Sequence, residues 1–64
     1  MTQSVIVNGD GEYYAGFDGK TGKPVWFKAQ RKDCKLDDYL ADMVLSQLTA
    51  LGFQGITKEA ASAD

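Results

Sequence analysis

Tyr13-Tyr14-Ala15-Gly16-Phe17-Asp18-Gly19-Lys20-Thr21-Gly22-Lys23-Pro24-Val25-Trp26-Phe27 is the stretch whose reading decides the fold. Two β-prone aromatic runs, Tyr13 to Phe17 and Val25 to Ala29, flank a glycine-rich connection, which predicts a β-hairpin. Asp18 and Thr21 can accept hydrogen bonds from amides inside that connection. Pro24 has no N–H to give to a ladder, so it belongs at the start of the third strand or on an edge. Upstream, Ser4-Val5-Ile6-Val7-Asn8 is a β-branched run closed by Asn8-Gly9-Asp10-Gly11, a strand followed by a turn.

Downstream of a polar stretch from Gln30 to Lys35 the period changes. Leu40, Val44, Leu48 and Leu51 fall at helical spacing, Met43 and Leu45 widen the stripe, and Asp38, Asp42, Ser46 and Thr49 take polar positions. The spacing predicts a helix over about Asp37 to Leu51, about 22 Å long at 1.5 Å per residue. Asp37 or Asp38 is expected to accept from the free first-turn amides, and Gly52 to supply the left-handed stop. Phe53 to Lys58 reads as a short last strand interrupted by Gly55, and Glu59 to Asp64 as a fraying tail. The expectation is one α+β domain over residues 1–58 with a flexible tail over 59–64. Its order is β-β-β-α-β, a small, mostly antiparallel sheet with one amphipathic helix packed on one face.

That layout covers one sheet face, yet both parities of the strands are apolar: Val5 and Val7 against Ile6, Tyr13 and Phe17 against Tyr14, Val25 and Phe27 against Trp26. Either one aromatic face folds in on the curled sheet and the tail, or it meets water, a second copy or a partner.

Composition narrows the function. Among 64 residues there is no histidine and one cysteine, so the usual general base is missing and an internal disulfide is impossible. Cys34 lies between basic residues but has no base beside it, and is read as a small buried packing residue. No catalytic residues, no metal site and no cofactor are expected. A start without a basic segment and apolar run, and the absence of a stretch of about 20 apolar residues, point to a cytoplasmic protein with no membrane partner. A net charge of −2 gives no global field for phosphate backbones and argues against direct nucleic-acid binding.

Three loop patterns have the look of ligand sites. Asp18, Thr21, Gly22 and Trp26 match the hairpin repeat of quinoprotein-type β-propellers, which the segment Ala15 to Trp26 resembles. One copy followed by a helix cannot make the four or more blades of a propeller, so neither quinone nor metal binding carries over. Gly22-Lys23 lacks the spacing and the strand-loop-helix setting of a phosphate-binding loop. Asp10, Glu12 and Asp18 could converge at one end of the sheet, but without calcium-loop spacing they read as solvated turn carboxylates.

Charge concentrates in two places. Lys28, Arg31, Lys32 and Lys35 form a basic patch that reads first as a solvated loop and alternatively as a seat for RNA phosphates or for an acidic protein surface. Asp38 and Asp42 flank Tyr39 near the helix start, where an exposed tyrosine would make an interface anchor.

The order Tyr13-Tyr14-Ala15-Gly16-Phe17, Pro24-Val25-Trp26, Leu36-Asp37-Asp38 and Leu48-Thr49-Ala50-Leu51-Gly52-Phe53 resembles, across nearly the whole chain, small phage- and prophage-type αβ proteins of the anti-CRISPR style. The resemblance implies a non-enzymatic inhibitor that occupies a nucleic-acid-binding surface of a host protein or ribonucleoprotein complex. It transfers no individual residue, because that group has no common motif. On this reading Tyr13, Tyr14, Trp26, Asp38, Tyr39 and Asp42 are the candidate partner-binding residues. The alternatives are a single-strand or RNA-binding module, with Tyr13, Tyr14, Trp26 and Phe27 stacking bases beside Lys28, Arg31 and Lys32, and a homodimer or larger homo-oligomer closed over the aromatic face.

Overall fold

Gln3–Val7 form β1, the central strand of the computed structural model, which describes residues 2–61. Tyr13–Phe17 form β2, Pro24–Phe27 β3, Leu36–Asp37 β4, Asp38–Ala50 the helix α1, and Thr57–Ala60 β5, with a 3-10 turn at Lys32–Cys34. The result is the expected α+β fold, one helix on an antiparallel five-stranded sheet ordered β3-β2-β1-β4 with β5 also on β1.

Ser4 pairs with both Leu36 and Ala60, and Val7 with both Tyr13 and Thr57. β5 therefore runs along one edge of β1, while β2 and β4 meet opposite ends of the other. Pro24 opens β3, the outer strand, opposite Phe17. Between Tyr14 and Phe17 the register slips by a bulge, and Gly16 sits there at φ 96°, a conformation that a Cβ would strain.

Alternation along β1 divides the interior in two. Ile6 points to α1 and packs with Tyr14, Ala41 and Leu48, walled by Trp26, Leu36, Val44, Leu45, Phe53 and Ile56. Val5 and Val7 point the other way, onto Cys34, with Tyr13, Ala15 and Phe27 around them. The polar stretch before the helix does more than connect: its 3-10 turn lays a fully buried Cys34 over the second face, and the Arg31 guanidinium stacks 4.8 Å above the Phe27 ring.

Two other elements differ from their sequence reading. The last strand starts later and runs further than Phe53 to Lys58: Glu59 and Ala60 pair with Val5 and Ser4, and the Ala61 amide donates to the Gln3 carbonyl. Apolar character misled there, because Phe53 and Ile56 serve the helix-side core from a loop while Thr57–Ala60 supply backbone to β1. Glu59 and Ala60 are thus sheet rather than tail, and the remaining tail residues 62–64 lie outside the described residues. At the helix start Asp37 makes no side-chain cap. Asp38 turns sideways instead, to Ser4 and Lys58. The helix end follows expectation: Gly52 at φ 100° lets the Phe53 amide reach the Leu48 carbonyl and the Gly52 amide the Thr49 carbonyl, with Phe53 packed into the same core as Leu48.

Candidate functional site

α1 carries more apolar surface than the sheet can take. Ala41 and Leu48 are fully buried and Val44 and Leu45 half-buried, so the helix seats on a line through 41, 44, 45 and 48. Leu40 and Leu51, expected in the buried stripe, lie off that line. Leu40 is 37% exposed, Met43 56%, Tyr39 63% and Leu51 64%. Leu40, Met43, Gln47 and Leu51 follow one another at three- and four-residue steps and so form one outward row, with Tyr39 beside its first turn. Ala41 explains the rotation: its small side chain lets the helix approach β1 on a side where a leucine would hold it off.

The row ends in an open groove of about 480 Å³ between the helix and the hairpin, lined by Phe17, Gly22, Gln47, Ala50 and Leu51. The hairpin loop that forms its far wall is internally bonded. Asp18 Oδ1 accepts from the Lys20 amide at 2.7 Å, the Asp18 amide donates to the Lys23 carbonyl at 2.8 Å, and the Lys23 amide donates to Thr21 Oγ1 at 3.3 Å. Phe17 is held at the rim, 43% exposed, with its ring edge-on to Tyr14 at 5.6 Å.

The flank of α1 facing β5 is polar. Lys58 Nζ donates to Asp42 Oδ1 at 2.7 Å and lies 3.0 Å from Asp38 Oδ1, which also accepts from the Ser4 hydroxyl at 2.8 Å. The bonds from Lys58 and then Ser4 hold the Asp38 carboxyl below the ordinary carboxylate value. The bonds to Asp42 and Asp38 raise the Lys58 ammonium above the ordinary lysine value. Ser4 is buried and has this one outlet for its hydroxyl.

The residues singled out in the sequence fall into separate groups. Tyr14 is 5% exposed and belongs to the core, which removes it from the partner-binding set. Trp26 packs edge-on against it at 5.9 Å and against Phe53, and its exposed remainder lines a second open groove with Phe53 and Ile56. Burial raises the Tyr14 hydroxyl above its usual pKa. Tyr13 is half-buried on the opposite face beside Val7 and Cys34. The four rings proposed to stack bases therefore look two ways through the sheet and form no platform. Of the basic patch, Lys28, Arg31 and Lys32 are exposed and Lys35 half-buried, with Arg31 engaged on Phe27. Asp38, Tyr39 and Asp42 share the first turns of α1, but Lys58 bridges the two carboxylates and offsets one of their two charges.

Asp10 and Glu12 precede β2 and Asp18 follows it, which puts them at opposite ends of a five-residue strand and removes the calcium arrangement. Among the described residues, no three His, Cys, Asp or Glu side chains are grouped to hold a metal ion. No helix among the described residues is long and apolar enough to cross a membrane.

Phe17, Gln47 and Leu51 lie outside the partner residues that the sequence suggests. For Leu51 the signal is indirect, since a helix with apolar residues at 39, 40, 43, 44, 45, 48 and 51 has more than one face can bury, and for Phe17 and Gln47 only the packing of the hairpin beside the helix end supplies it. No protein-family model matches the chain, and neither a curated protein nor a solved structure matches it.

Proposed function

We propose that this chain is a non-enzymatic protein-binding domain whose contact surface is the outward face of α1. The observation that carries the reading is the outward row of Leu40, Met43 and Leu51, broken by Gln47, with Tyr39 and Phe17 beside it, on a domain whose other aromatics are buried or half-buried. Large exposed apolar patches with polar rims mark interaction sites, and a tyrosine and a methionine at their centre are typical anchors. The flanking Asp38, Asp42 and Lys58 supply the rim.

A narrower form of the reading is an inhibitor of phage type that blocks a nucleic-acid-binding surface of a host complex. It draws on the resemblance described above and on the two carboxylates beside Tyr39. Lys58 offsets part of their charge, so phosphate imitation is the weaker element of this form and apolar docking the stronger.

The test is affinity capture from nuclease-treated bacterial lysate with tagged wild type, Met43→Glu and Asp42→Lys. The expected outcome is a specific protein retained by wild type, lost with Met43→Glu and only weakened with Asp42→Lys. Equal retention by wild type and Met43→Glu would remove α1 from the contact, and retention that disappears with nuclease would favour the nucleic-acid module.

A further inference from the structure

We infer that the outward face of α1 is covered by a second copy of this chain, packed helix against helix in antiparallel fashion about a two-fold axis near Met43 and Gln47. The inference rests on the reading of that face as a protein contact, and adds what occupies it.

Charge supports self-association in this orientation. The helix begins among Asp37, Asp38 and Asp42, of which Lys58 compensates one charge, so that end is net negative. It ends against the hairpin loop, whose Gly22 lines the groove with Ala50 and Leu51 and whose Lys20 and Lys23 outnumber Asp18. The apolar row thus runs from an acidic end to a basic end. A two-fold axis across its middle sets the acidic end of each copy towards the basic end of the other, which is the self-complementarity an isologous interface requires. A parallel arrangement would bring acid to acid.

Area agrees with a face of dimer size. Five large side chains between 37% and 64% exposed, each of roughly 200 Å² when fully open, present roughly 500 Å² of apolar surface. A stable interface buries about 800 Å² per partner, and in homodimers about 65% of that is apolar, so the row and its charged rim supply about one such face. The groove between Leu51 and Phe17 gives the Tyr39 ring of the second copy a place to insert at the far end of the row.

Sedimentation equilibrium of the full chain from about 1 to 200 µM tests the proposal. The expected result is a particle of twice the 7.0 kDa chain mass, dissociating in the micromolar range of about 1–50 µM. Met43→Glu and Leu51→Lys should each raise the dissociation constant by about 100-fold. Lys20→Glu/Lys23→Glu and Asp42→Lys should each raise it by about 10-fold, and their equimolar mixture should associate more tightly than either alone. All these positions are exposed, and a cooperative thermal unfolding transition in dilute solution establishes that each variant is folded, Asp42→Lys melting somewhat lower because it loses its bond to Lys58. Gln47→Cys reports the geometry: on oxidation it should give a covalent dimer, whereas Thr49→Cys, on the polar flank, should not.

A wild type that stays monomeric at 200 µM overturns the dimer, while the broader reading stands if Met43→Glu still abolishes lysate capture. A wild-type dimer whose capture of a partner is untouched by Met43→Glu supports the dimer and overturns α1 as the foreign contact. A dimer insensitive to Met43→Glu and Leu51→Lys places association elsewhere and overturns the inference.

Discussion

At the scale of single residues the structure separates groups that hold the fold from groups that face outward, and Lys58 shows how. Its ammonium joins β5 to the first turns of α1 through Asp42 and Asp38, and Asp38 in turn takes up the buried hydroxyl of Ser4 in β1. Three elements meet at one cation. The Asp38 pKa is depressed, so its contribution to stability is present above the ordinary carboxylate value and is lost as pH falls through the lower folded value. The Lys58 pKa is raised, so its contribution is present below the ordinary lysine value and is lost as pH rises through the higher folded value. These groups are partly exposed, which keeps the effect modest. Lys58→Met should therefore lower the melting temperature most between about pH 5 and 9, with the gap to wild type closing towards pH 2. Thermal melts of both proteins across that range check it. A gap that persists at pH 2 would assign Lys58 an aliphatic packing role. Cys34 makes the complementary case. It is fully buried against Val5 and Val7, so its thiol should react with an aromatic disulfide reagent only at the rate of opening in native buffer and at once in denaturant.

At the scale of elements, the helix end was legible in the sequence and the helix start was not, for a physical reason. Leu48, Gly52 and Phe53 form a self-contained stop whose three parts are close in sequence, and the structure realises it through the Phe53-to-Leu48 and Gly52-to-Thr49 bonds. Asp38 had a local option, capping its own turn, and a distant one in Ser4 and Lys58, 34 and 20 positions away in the chain; local pattern cannot weigh a partner it cannot see. The same limit hid β4 and the 3-10 turn. Two strand residues and one turn owe their structure to β1 and to the apolar face of Val5 and Val7, not to any preference of Lys32 to Asp37. The hairpin was legible because Asp18, Thr21 and Pro24 act within a few residues of one another. The helix stop gives a prediction at this scale. Gly52→Ala meets no neighbour within 4 Å but must adopt φ near 100°. It should cost about 1–2 kcal/mol by chemical denaturation, from backbone strain alone. An unchanged denaturation midpoint would mean that the chain leaves α1 by another route.

For the whole molecule, the two sides of α1 should answer mutation in opposite ways, and the fold's small size makes the contrast measurable. A domain of this length has a net stability of only a few kcal/mol, from a core divided by the sheet into two clusters. Leu48 belongs to the helix-side cluster and is fully buried between Ile6, Tyr14 and Ala41. Leu48→Ala should cost about 2–5 kcal/mol through lost burial and the cavity left behind, enough to leave much of the chain unfolded at 25 °C. Met43 lies five residues earlier on the same helix and faces outward. In dilute solution, below any self-association, Met43→Glu should change stability by no more than about 0.5 kcal/mol. Urea unfolding followed by Trp26 fluorescence reports both, because Trp26 lies in the cluster that Leu48 anchors. The sequence alone could not assign these roles: Leu48 and Met43 both carry helical spacing and apolar character, and only the seating of Ala41 on the sheet determines which of them the fold retains. If Met43→Glu instead unfolded the isolated chain, the outward row would be part of the monomer's own stability. Its exposure would then no longer argue for a partner. If it left the monomer intact, the apolar surface would be doing nothing for the fold that carries it, which is the condition under which a surface is free to bind.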